Sequence, residues 1–191
     1  MAFKYWDESL QNEIKLRYAH IEGILYYRVD SKAIKGRPLG SRYKHGDLVK
    51  VRTNKDGHLR FWHSRDDGLP RVHLFVHRVV WFLEHGTQVR LIDHIDGNPA
   101  NNNPPNLREA TDAQNQHNRK KKSKKFSSVY KGVSKCNRKD LRKKWRASIM
   151  VNLQRHVLGQ YDTEIEAAIA YDNAARKFYG EYALLNFPDP K

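Results

Sequence analysis

Cysteine is nearly missing from this chain of 191 residues, which contains Cys136 and no other cysteine. A single thiol excludes an internal disulfide and a zinc site built from several cysteines, so we expect no structural zinc. Acidic residues are also scarce, at 21 against 36 Lys and Arg, which gives a formal net charge of +15. This shortage of acid points to a polyanionic partner.

Long apolar runs are missing as well. No stretch approaches the roughly 20 apolar residues that span a bilayer, and residues 1–8 lack the apolar core of a secretion signal. We therefore expect no membrane partner and a cytoplasmic location. Aromatic residues, at 11%, are too frequent for a disordered chain. The sequence thus predicts small folded units with a basic surface.

The positive charge is concentrated in one stretch. Residues 119–146 contain 14 basic side chains and one acidic side chain, whereas residues 147–191 contain 4 basic and 6 acidic. The stretch opens with a lysine-rich run at 119–125, which we interpret as a linker between domains at 1–118 and 126–191. A basic patch beside Tyr130 and Trp145 indicates nucleic-acid binding. The alternative is a solvated linker whose charge only prevents aggregation.

The first domain is predicted to alternate short helices and strands. Apolar spacing and turn residues predict a helix over 7–19, strands at 24–29, 47–52, 58–62 and 71–76, a helix over 77–85, a strand at 89–92 and a loop over 95–107. Asp56-Gly57 favours a hairpin turn, because this pair tolerates positive φ. Gly86 fits a helix C-cap, and Thr111 opens a capping box with Gln114.

The second domain is predicted to contain three strands and one helix. The strands cover 128–135, 144–152 and 155–161, and the helix runs from the cap at Thr163 to about Tyr179. Alternation within the middle strand places Arg146, Ser148 and Met150 on one face. Its other face, and the stripe on the helix, should pack together. These inward residues are Ala147, Ile149 and Val151 on the strand and Ile165, Ala168, Ala175 and Phe178 on the helix.

The stretch from Asp93 to Asn118 combines the residue types that phosphodiester hydrolysis requires. An imidazole near neutral pKa suits a base that deprotonates water. Oxygen ligands from Asp and Asn suit a hard cation such as Mg²⁺. Asp93 and His94 would end a strand and point to opposite sides, while Asn115 and Asn118 would share a helix face. On spacing alone, a turn with Asx hydrogen bonds explains the stretch equally well.

These residues carry a resemblance to a known family. Asp93-His94-Ile-Asp-Gly-Asn98, Asn101-Asn102, Asn106-Leu-Arg108 and Asn115, with His77 before them, resemble the HNH (ββα-metal) nucleases, in particular the phage homing-type endonucleases. The resemblance covers about residues 20–118, with its core at 77–118. It implies that His94 is the general base and that Asn106 orients it. It also implies a divalent metal, Mg²⁺ with Mn²⁺ as the alternative.

The same resemblance assigns the remaining site positions. Asp93 and Asn115 match the metal ligands, with His117 or Asn118 as alternatives to Asn115. His77 matches a supporting residue, although a packing role at a helix start is an equally good interpretation. Asp96 and Gly97 are expected to shape the turn. The other histidines show no ligand spacing, and we expect them at the surface or beside phosphate: His20, His45, His58, His63, His73 and His85.

A second resemblance covers residues 126–188. Tyr130-Lys-Gly-Val133, Lys144-Trp-Arg-Ala147 and Leu185-Asn-Phe-Pro188 resemble the Apetala-two DNA-binding domain of plant ethylene-response factors. The positions that would face DNA are Lys131, Ser134, Lys135, Arg146, Ser148, Met150 and Arg155, with Arg142 and Lys143 on phosphates. Lys131 replaces an Arg of that family, Ser148 and Met150 replace a charged pair, and Val157 replaces an aromatic residue. The plant target sequence is therefore not expected.

Together these observations predict an α+β protein. A ββα-metal nuclease domain is followed by a three-stranded antiparallel sheet packed on one helix. The predicted function is site-specific cleavage of double-stranded DNA, in the cytoplasm of a bacterial host if the gene belongs to a phage, with no small-molecule cofactor. Monomer or dimer, and nicking or double-strand cutting, stay open. A non-catalytic DNA-binding regulator is the main alternative, and an RNA-binding protein is a weaker one.

Overall fold

The computed structural model of the chain describes residues 5–28, 43–119, 127–136 and 144–188. By internal packing the chain divides into two units, Met1–Ala110 and Thr111–Lys191. Among the described residues, no helix combines the length and apolar character needed to cross a bilayer. The division into a nuclease domain at 1–118 and a DNA-binding domain at 126–191 stays a prediction. Most of the predicted basic linker at 119–125 lies outside the described residues.

The first unit contains two helices and seven short strands. In chain order they are α1 (Glu8–Arg17), β1 (Tyr18–Ile21), β2 (Ile24–Tyr27), β3 (Arg52–Thr53), β4 (Leu59–His63), β5 (Val72–Phe75), α2 (Val76–His85), β6 (Ile92–His94) and β7 (Leu107–Glu109). The strands form three antiparallel sheets, β1–β2, β3–β4–β5 and β6–β7. The predicted hairpin turn is present, since the Gly57 amide donates to the Asn54 carbonyl.

Helix α1 begins where Asp7 accepts a hydrogen bond from the Leu10 amide, a standard N-cap. It ends at Arg17 because Tyr18 is already extended and starts β1, so the predicted end at residue 19 was wrong. Leu10 and Ile14 are buried, whereas Leu16 is exposed. The apolar face of α1 is therefore narrower than its sequence indicates.

Helix α2 forms the centre of the core of the first unit. It ends at Gly86 in the left-handed conformation, as predicted. Its residues Val76, Val79, Val80 and Phe82 are fully buried and pack with residues from α1 and β4. The helix starts directly after β5, so the core of the unit fixes its first turn, which carries His77.

A buried polar network lies beside this core. Arg17, whose side chain is 1% exposed, pairs with Glu13 at 3.3 Å and with Asp66. His63, fully buried, contacts Glu13 through Nε2 at 2.9 Å and the Tyr18 hydroxyl through Nδ1 at 2.9 Å. Burial lowers the pKa of His63, and the hydrogen bond to Glu13 opposes this shift. The network joins α1, β1 and β4, and its charges are costly to unpair.

The second unit contains helix α3 (Asp112–His117), strands β8 (Val133–Lys135), β9 (Trp145–Val151) and β10 (Gln154–Tyr161), and helix α4 (Glu164–Tyr179). The three strands form one antiparallel sheet in the order β10-β9-β8, and it packs on α4. This confirms the predicted fold of the region. The predicted capping box at Thr111 is present, and the predicted cap at Thr163 also forms a capping box, with Glu166.

Small residues let α4 approach the sheet closely. Ala167, Ala168 and Ala175 are fully buried against β8 and β9, together with Ala147 and Ile149 of β9. The prediction for Ala147, Ile149, Ala168 and Ala175 is confirmed. Ile165 and Phe178 were wrongly placed on this face, since they are 53% and 48% exposed. A face lined with alanine leaves no room for larger side chains between helix and sheet.

We predict that Glu13→Ala lowers the free energy of unfolding of the first unit by about 3 kcal/mol, because it leaves Arg17 and His63 buried with a partner removed. Chemical denaturation followed by tryptophan fluorescence measures this. Glu84→Ala is the matched control: Glu84 is exposed and pairs with His20, so its loss should change stability by less than about 0.5 kcal/mol. Equal losses in the two variants would contradict a structural role for the network.

Candidate active site and DNA-facing sheet

Asp93 and His94 close the last two positions of β6, as the sequence predicted. Strand β6 pairs with β7, so that Asp93 lies opposite Arg108 and His94 opposite Leu107. Both side chains are buried, at 4% and 6% exposure. The predicted strand at 89–92 was placed too early, since β6 covers Ile92–His94. Strand β7 was not predicted, and it begins at the last residue of the predicted loop. A three-residue strand carries too few residues to show a period of two.

The ring of His94 is held in one tautomer by Asn102. His94 Nε2 and Asn102 Oδ1 are 3.2 Å apart. Asn102 Nδ2 donates to the Ala100 carbonyl, so Oδ1 is the side of the amide that accepts. His94 therefore donates through Nε2–H, and Nδ1 carries the lone pair of the neutral ring. Asn102 belongs to the motif that carries the resemblance, but the sequence assigned it no role.

Asn106 contacts the loop that precedes it. Its side chain donates to Asp96 Oδ1 at 3.0 Å and to the Asn101 carbonyl at 2.8 Å, and it accepts from the Asp96 amide. Asp96 also accepts from Asn101 and from the Asn98 amide. Asp96 and Gly97 thus shape the turn as predicted. The structure gives Asn102 the hydrogen bond to His94, whereas the predicted role of Asn106 in orienting that ring stays a prediction.

The carboxylate of Asp93 is paired with an arginine. Arg108 donates to Asp93 Oδ2 through Nε at 2.9 Å and through a terminal nitrogen at 2.8 Å. A buried carboxylate oxygen is a suitable ligand for a hard divalent cation. The donor chemistry of Asp93 therefore fits the metal that its family position implies.

Three histidines from separate elements meet beside His94. The ring centroid of His94 lies 5.5 Å from that of His58 and 5.3 Å from that of His77, and the latter two are 5.0 Å apart. These three groups could hold a metal ion. Burial lowers the pKa of all three rings, and repulsion between them adds to this for His58 and His77. All three are therefore neutral near pH 7.

The structure corrects the prediction for several histidines. His58 was expected at the surface, but it is half-buried in this cluster, because the hairpin before β4 carries it towards α2 and β6. His63 was also expected at the surface and is fully buried in the network with Glu13. The contacts of both residues bridge large sequence separations, so local spacing could not reveal them.

The three helical candidates for the metal site lie on or next to α3, in the second unit. Asn115 is half-buried, and Asn118 is buried at the end of the helix. The ring of His117 stacks on Tyr179 with centroids 3.7 Å apart, and burial lowers its pKa. Which of these residues completes a metal site with Asp93 stays a prediction.

The turn between β1 and β2 touches the loop that holds His94. Gly23 has a φ of +81°, and a Cβ added there would lie 2.3 Å from the carbonyl carbon and oxygen of Asn102. The backbone of the turn thus occupies the space next to the residue that orients His94. Only glycine combines this φ with so close an approach.

Five of the predicted DNA-facing residues share one face of the sheet in the second unit. Directly paired residues lie on the same face, and Arg146 pairs with Ser134, Ser148 with Val157 and Met150 with Arg155. Successive odd positions of β9 point to α4, so this face is the one turned away from the helix. The shared face therefore carries Ser134, Arg146, Ser148, Met150 and Arg155.

The other predicted DNA contacts lie elsewhere. Lys135 pairs with Trp145, on the face that packs towards α4. The ammonium of Lys131 donates to the His117 carbonyl, and burial lowers its pKa to about 8. Its backbone is held by Asn186, which accepts from the Lys131 amide at 2.7 Å. Arg142 and Lys143 lie outside the described residues.

Comparison with known proteins found similarities for both parts of the chain. Residues 74–117 match the family model of HNH endonucleases. The chain is 33% identical over 123 residues to an uncharacterised HNH endonuclease of Acanthamoeba polyphaga mimivirus, covering 64% of this chain and 60% of that protein. It is also 48% identical over 65 residues to dehydration-responsive element-binding protein 2D of Arabidopsis thaliana, covering 33% of this chain and 30% of that protein.

These relatives extend beyond the matched regions, because the chain spans less than two thirds of the length of either one. No solved structure matches the chain. The resemblance to HNH endonucleases and the resemblance of the C-terminal region to a plant DNA-binding protein of this type are nevertheless confirmed.

We predict that Gly23→Ala displaces Asn102 and releases the tautomer of His94. The added Cβ cannot fit against the Asn102 backbone, so the ¹⁵N NMR shifts of His94 should change towards a mixture of tautomers. Gly68→Ala is the control: its φ is +78°, yet nothing lies within 4 Å of an added Cβ. It should cost about 1–2 kcal/mol in strain and leave His94 unchanged. Unaltered His94 signals in Gly23→Ala would refute this role.

Proposed function

We propose that the chain is a metal-dependent, site-specific DNA endonuclease of the phage homing type. The premise is that it carries an HNH endonuclease domain and a C-terminal region similar to an Apetala-two-type plant protein. The observation that carries this proposal is that Asp93 and His94 lie next to each other at the end of β6. There, Asn102 fixes a neutral His94 with its lone pair on Nδ1. A base and a metal-binding carboxylate are the two groups that hydrolysis needs.

In this mechanism His94 removes a proton from water at Nδ1. The water oxygen forms a bond to phosphorus, the bond from phosphorus to the 3′ oxygen breaks, and the 3′ oxygen takes up a proton. Asn102 keeps Nε2 as the donor, so the imidazolium that forms is stabilised by the same hydrogen bond. The low pKa of His94 keeps the ring unprotonated at neutral pH.

Asp93 is the residue of the first unit that would hold the divalent metal, with Asn115 as the predicted second ligand. When bound, the cation supplies positive charge that stabilises the leaving oxygen. Mg²⁺ is the expected ion and Mn²⁺ the alternative, because both accept oxygen ligands. Arg108 holds the Asp93 carboxylate in place through one of its oxygens.

We assign target recognition to the sheet of the second unit. The Arabidopsis relative is named for binding a DNA element, and the face with Arg146 and Arg155 is the matching surface here. A β-sheet can enter the major groove, and arginine can read base edges there. Because Ser148 and Met150 replace charged residues of the plant pattern, the preferred sequence should differ from the plant element.

A non-catalytic DNA-binding regulator is the second candidate. One observation favours it: Asp93 is buried and paired with Arg108, and His94 is also buried. In such a protein the nuclease residues would serve packing alone. Tight, salt-dependent binding without metal-dependent cleavage is the behaviour expected of it.

We predict that the purified protein nicks or linearises supercoiled DNA containing its target only when Mg²⁺ or Mn²⁺ is present. His94→Ala and Asp93→Ala should each reduce the rate by at least about 100-fold, the range for loss of a positioned base, while DNA binding persists. His85→Ala is the matched control, since His85 is exposed on α2 and its ring lies tilted against that of Trp81, away from the site. Full activity in His94→Ala would remove the proposed base, and binding without any cleavage would favour the regulator.

We also predict that Arg146→Ala weakens binding to the target by about 1–3 kcal/mol and relaxes its sequence preference. Lys177→Ala removes the same charge from the exposed side of α4, so it should change affinity less than about twofold. Fluorescence anisotropy at two salt concentrations measures both. If the two variants lose the same affinity, general charge rather than this face of the sheet explains the binding.

A further inference from the structure

The cluster of His58, His77 and His94 has the composition of a metal site. His58 precedes β4, His77 lies in the first turn of α2, and His94 ends β6, so three separate elements converge. Each ring offers a nitrogen, and these nitrogens all lie within 4.8 Å of one another.

Two of the rings have nitrogens without partners. Nδ1 of His58 and Nδ1 of His77 are buried and form no hydrogen bond, and the side chain of His77 is among the buried polar groups at 7% exposure. An unsatisfied buried polar atom is destabilising, because it has lost its hydrogen bonds to water without replacing them. A cation coordinated through these two atoms would satisfy both, because each nitrogen can donate a lone pair to it.

The third ring is already arranged as a ligand. The hydrogen bond from His94 Nε2–H to Asn102 leaves Nδ1 with the lone pair. Histidines that bind metals usually donate their other ring nitrogen to a carbonyl or carboxylate in this way. Asn102 therefore serves His94 equally well as a base and as a ligand.

The donor set identifies the class of ion. Imidazole nitrogens suit Zn²⁺, Cu²⁺ or Ni²⁺, whereas Mg²⁺ and Ca²⁺ require oxygen ligands. Three protein ligands with a fourth position open to water are a common zinc arrangement. Tetrahedral zinc with bonds of about 2.0–2.1 Å places its nitrogens about 3.3 Å apart, so rotation of the rings would have to close the present separations.

We propose that His58, His77 and His94 form a binding site for a first-row transition ion, with Zn²⁺ as the test case, and that this ion inhibits DNA cleavage. The inhibitory part rests on the proposed function, because it assumes that His94 is the base. A lone pair that coordinates zinc cannot accept a proton from water. The site differs from the predicted hard-cation site, which uses Asp93 and oxygen ligands.

Binding is tested first, without reference to activity. Metal-free protein is titrated with Zn²⁺ in competition with a coloured chelator, and with Co²⁺, whose visible absorption reports tetrahedral nitrogen coordination. One equivalent should bind. His58→Ala and His77→Ala should each weaken binding by more than the roughly 10–100-fold that loss of an outer-shell partner costs. His85→Ala, on the same helix as His77, should bind as the wild type does.

The variants are checked by circular dichroism and thermal unfolding, so that loss of binding is not confused with loss of fold. His58 is the safer position, because it is only half-buried. Absence of zinc binding by the wild-type protein would overturn the proposal. Undiminished binding by a folded His58→Ala or His77→Ala variant would overturn it as well.

Inhibition is tested second, as the ratio of cleavage rates with and without Zn²⁺ at constant Mg²⁺. For the wild type this ratio should fall with a midpoint equal to the dissociation constant measured by titration. In His58→Ala the midpoint should move to higher zinc by the same factor as binding. Activation by Zn²⁺ would overturn the inhibitory role. A protein that binds zinc but never cleaves DNA would refute the proposed function and leave the metal site standing.

Discussion

The candidate site depends on the hydrogen bonds that close the loop between β6 and β7. Each strand has three residues, and a pair of this length is not stable by itself in water. Asp96 and Asn106 join the two ends of the loop through side-chain and main-chain bonds of 3.0 Å. Burial raises the pKa of Asp96, but the hydrogen bonds from Asn101, Asn98 and Asn106 outweigh it and lower that pKa. The loop is therefore held by an ionised carboxylate.

This arrangement explains why so many asparagines follow His94. An amide side chain both donates and accepts, so it can replace the main-chain pairing that an irregular loop lacks. Asn106 connects the loop ends, and Asn102 connects the loop to the ring of His94. At Gly23, the β1–β2 turn packs closely against the same loop. The position of His94 is set by contacts from outside its own strand.

The sequence predicted the parts of the site that are local. Asp93 and His94 at a strand end, the turn at Asp96 and the helix cap at Gly86 all follow from neighbouring residues. The contacts of His58 with His77 and His94 could not be predicted in this way, because they depend on how the β3–β4 hairpin folds towards α2. The hydrogen bond between Asn102 and His94 was not predicted for a different reason: several asparagines in one loop are equivalent until its geometry is known.

In the second unit, the spacing of apolar residues also predicted some of the helix–sheet contacts wrongly. The apolar spacing of α4 selected Ile165 and Phe178, yet the helix contacts the sheet through its alanines. Periodicity identifies a face but not how closely it approaches its neighbour. Close approach recurs at Gly132, where an added Cβ would lie 1.9 Å from the ring of Tyr171.

The segment Leu185-Asn-Phe-Pro188, which carries part of the second resemblance, also has a structural explanation. Asp172 is buried, and its carboxylate accepts hydrogen bonds from the amides of Asn186 and Phe187. Asn186 in turn binds the backbone of Lys131 on both sides, as donor and as acceptor. The segment thus anchors the turn before β8, and this turn sends the ammonium of Lys131 to the His117 carbonyl.

The electrostatics of the two units suit different tasks. The cluster around His94 is neutral near pH 7, because burial and mutual repulsion suppress protonation of its rings. Neutral rings attract a phosphate weakly but are ready to accept a proton or bind a metal. Affinity for a polyanion must therefore come from charge elsewhere, and 14 of the 36 basic residues lie in the stretch 119–146. In the proposed function, the basic stretch attracts DNA and the histidine cluster does the chemistry. The imidazoles can then stay uncharged, as both a base and a metal ligand must be.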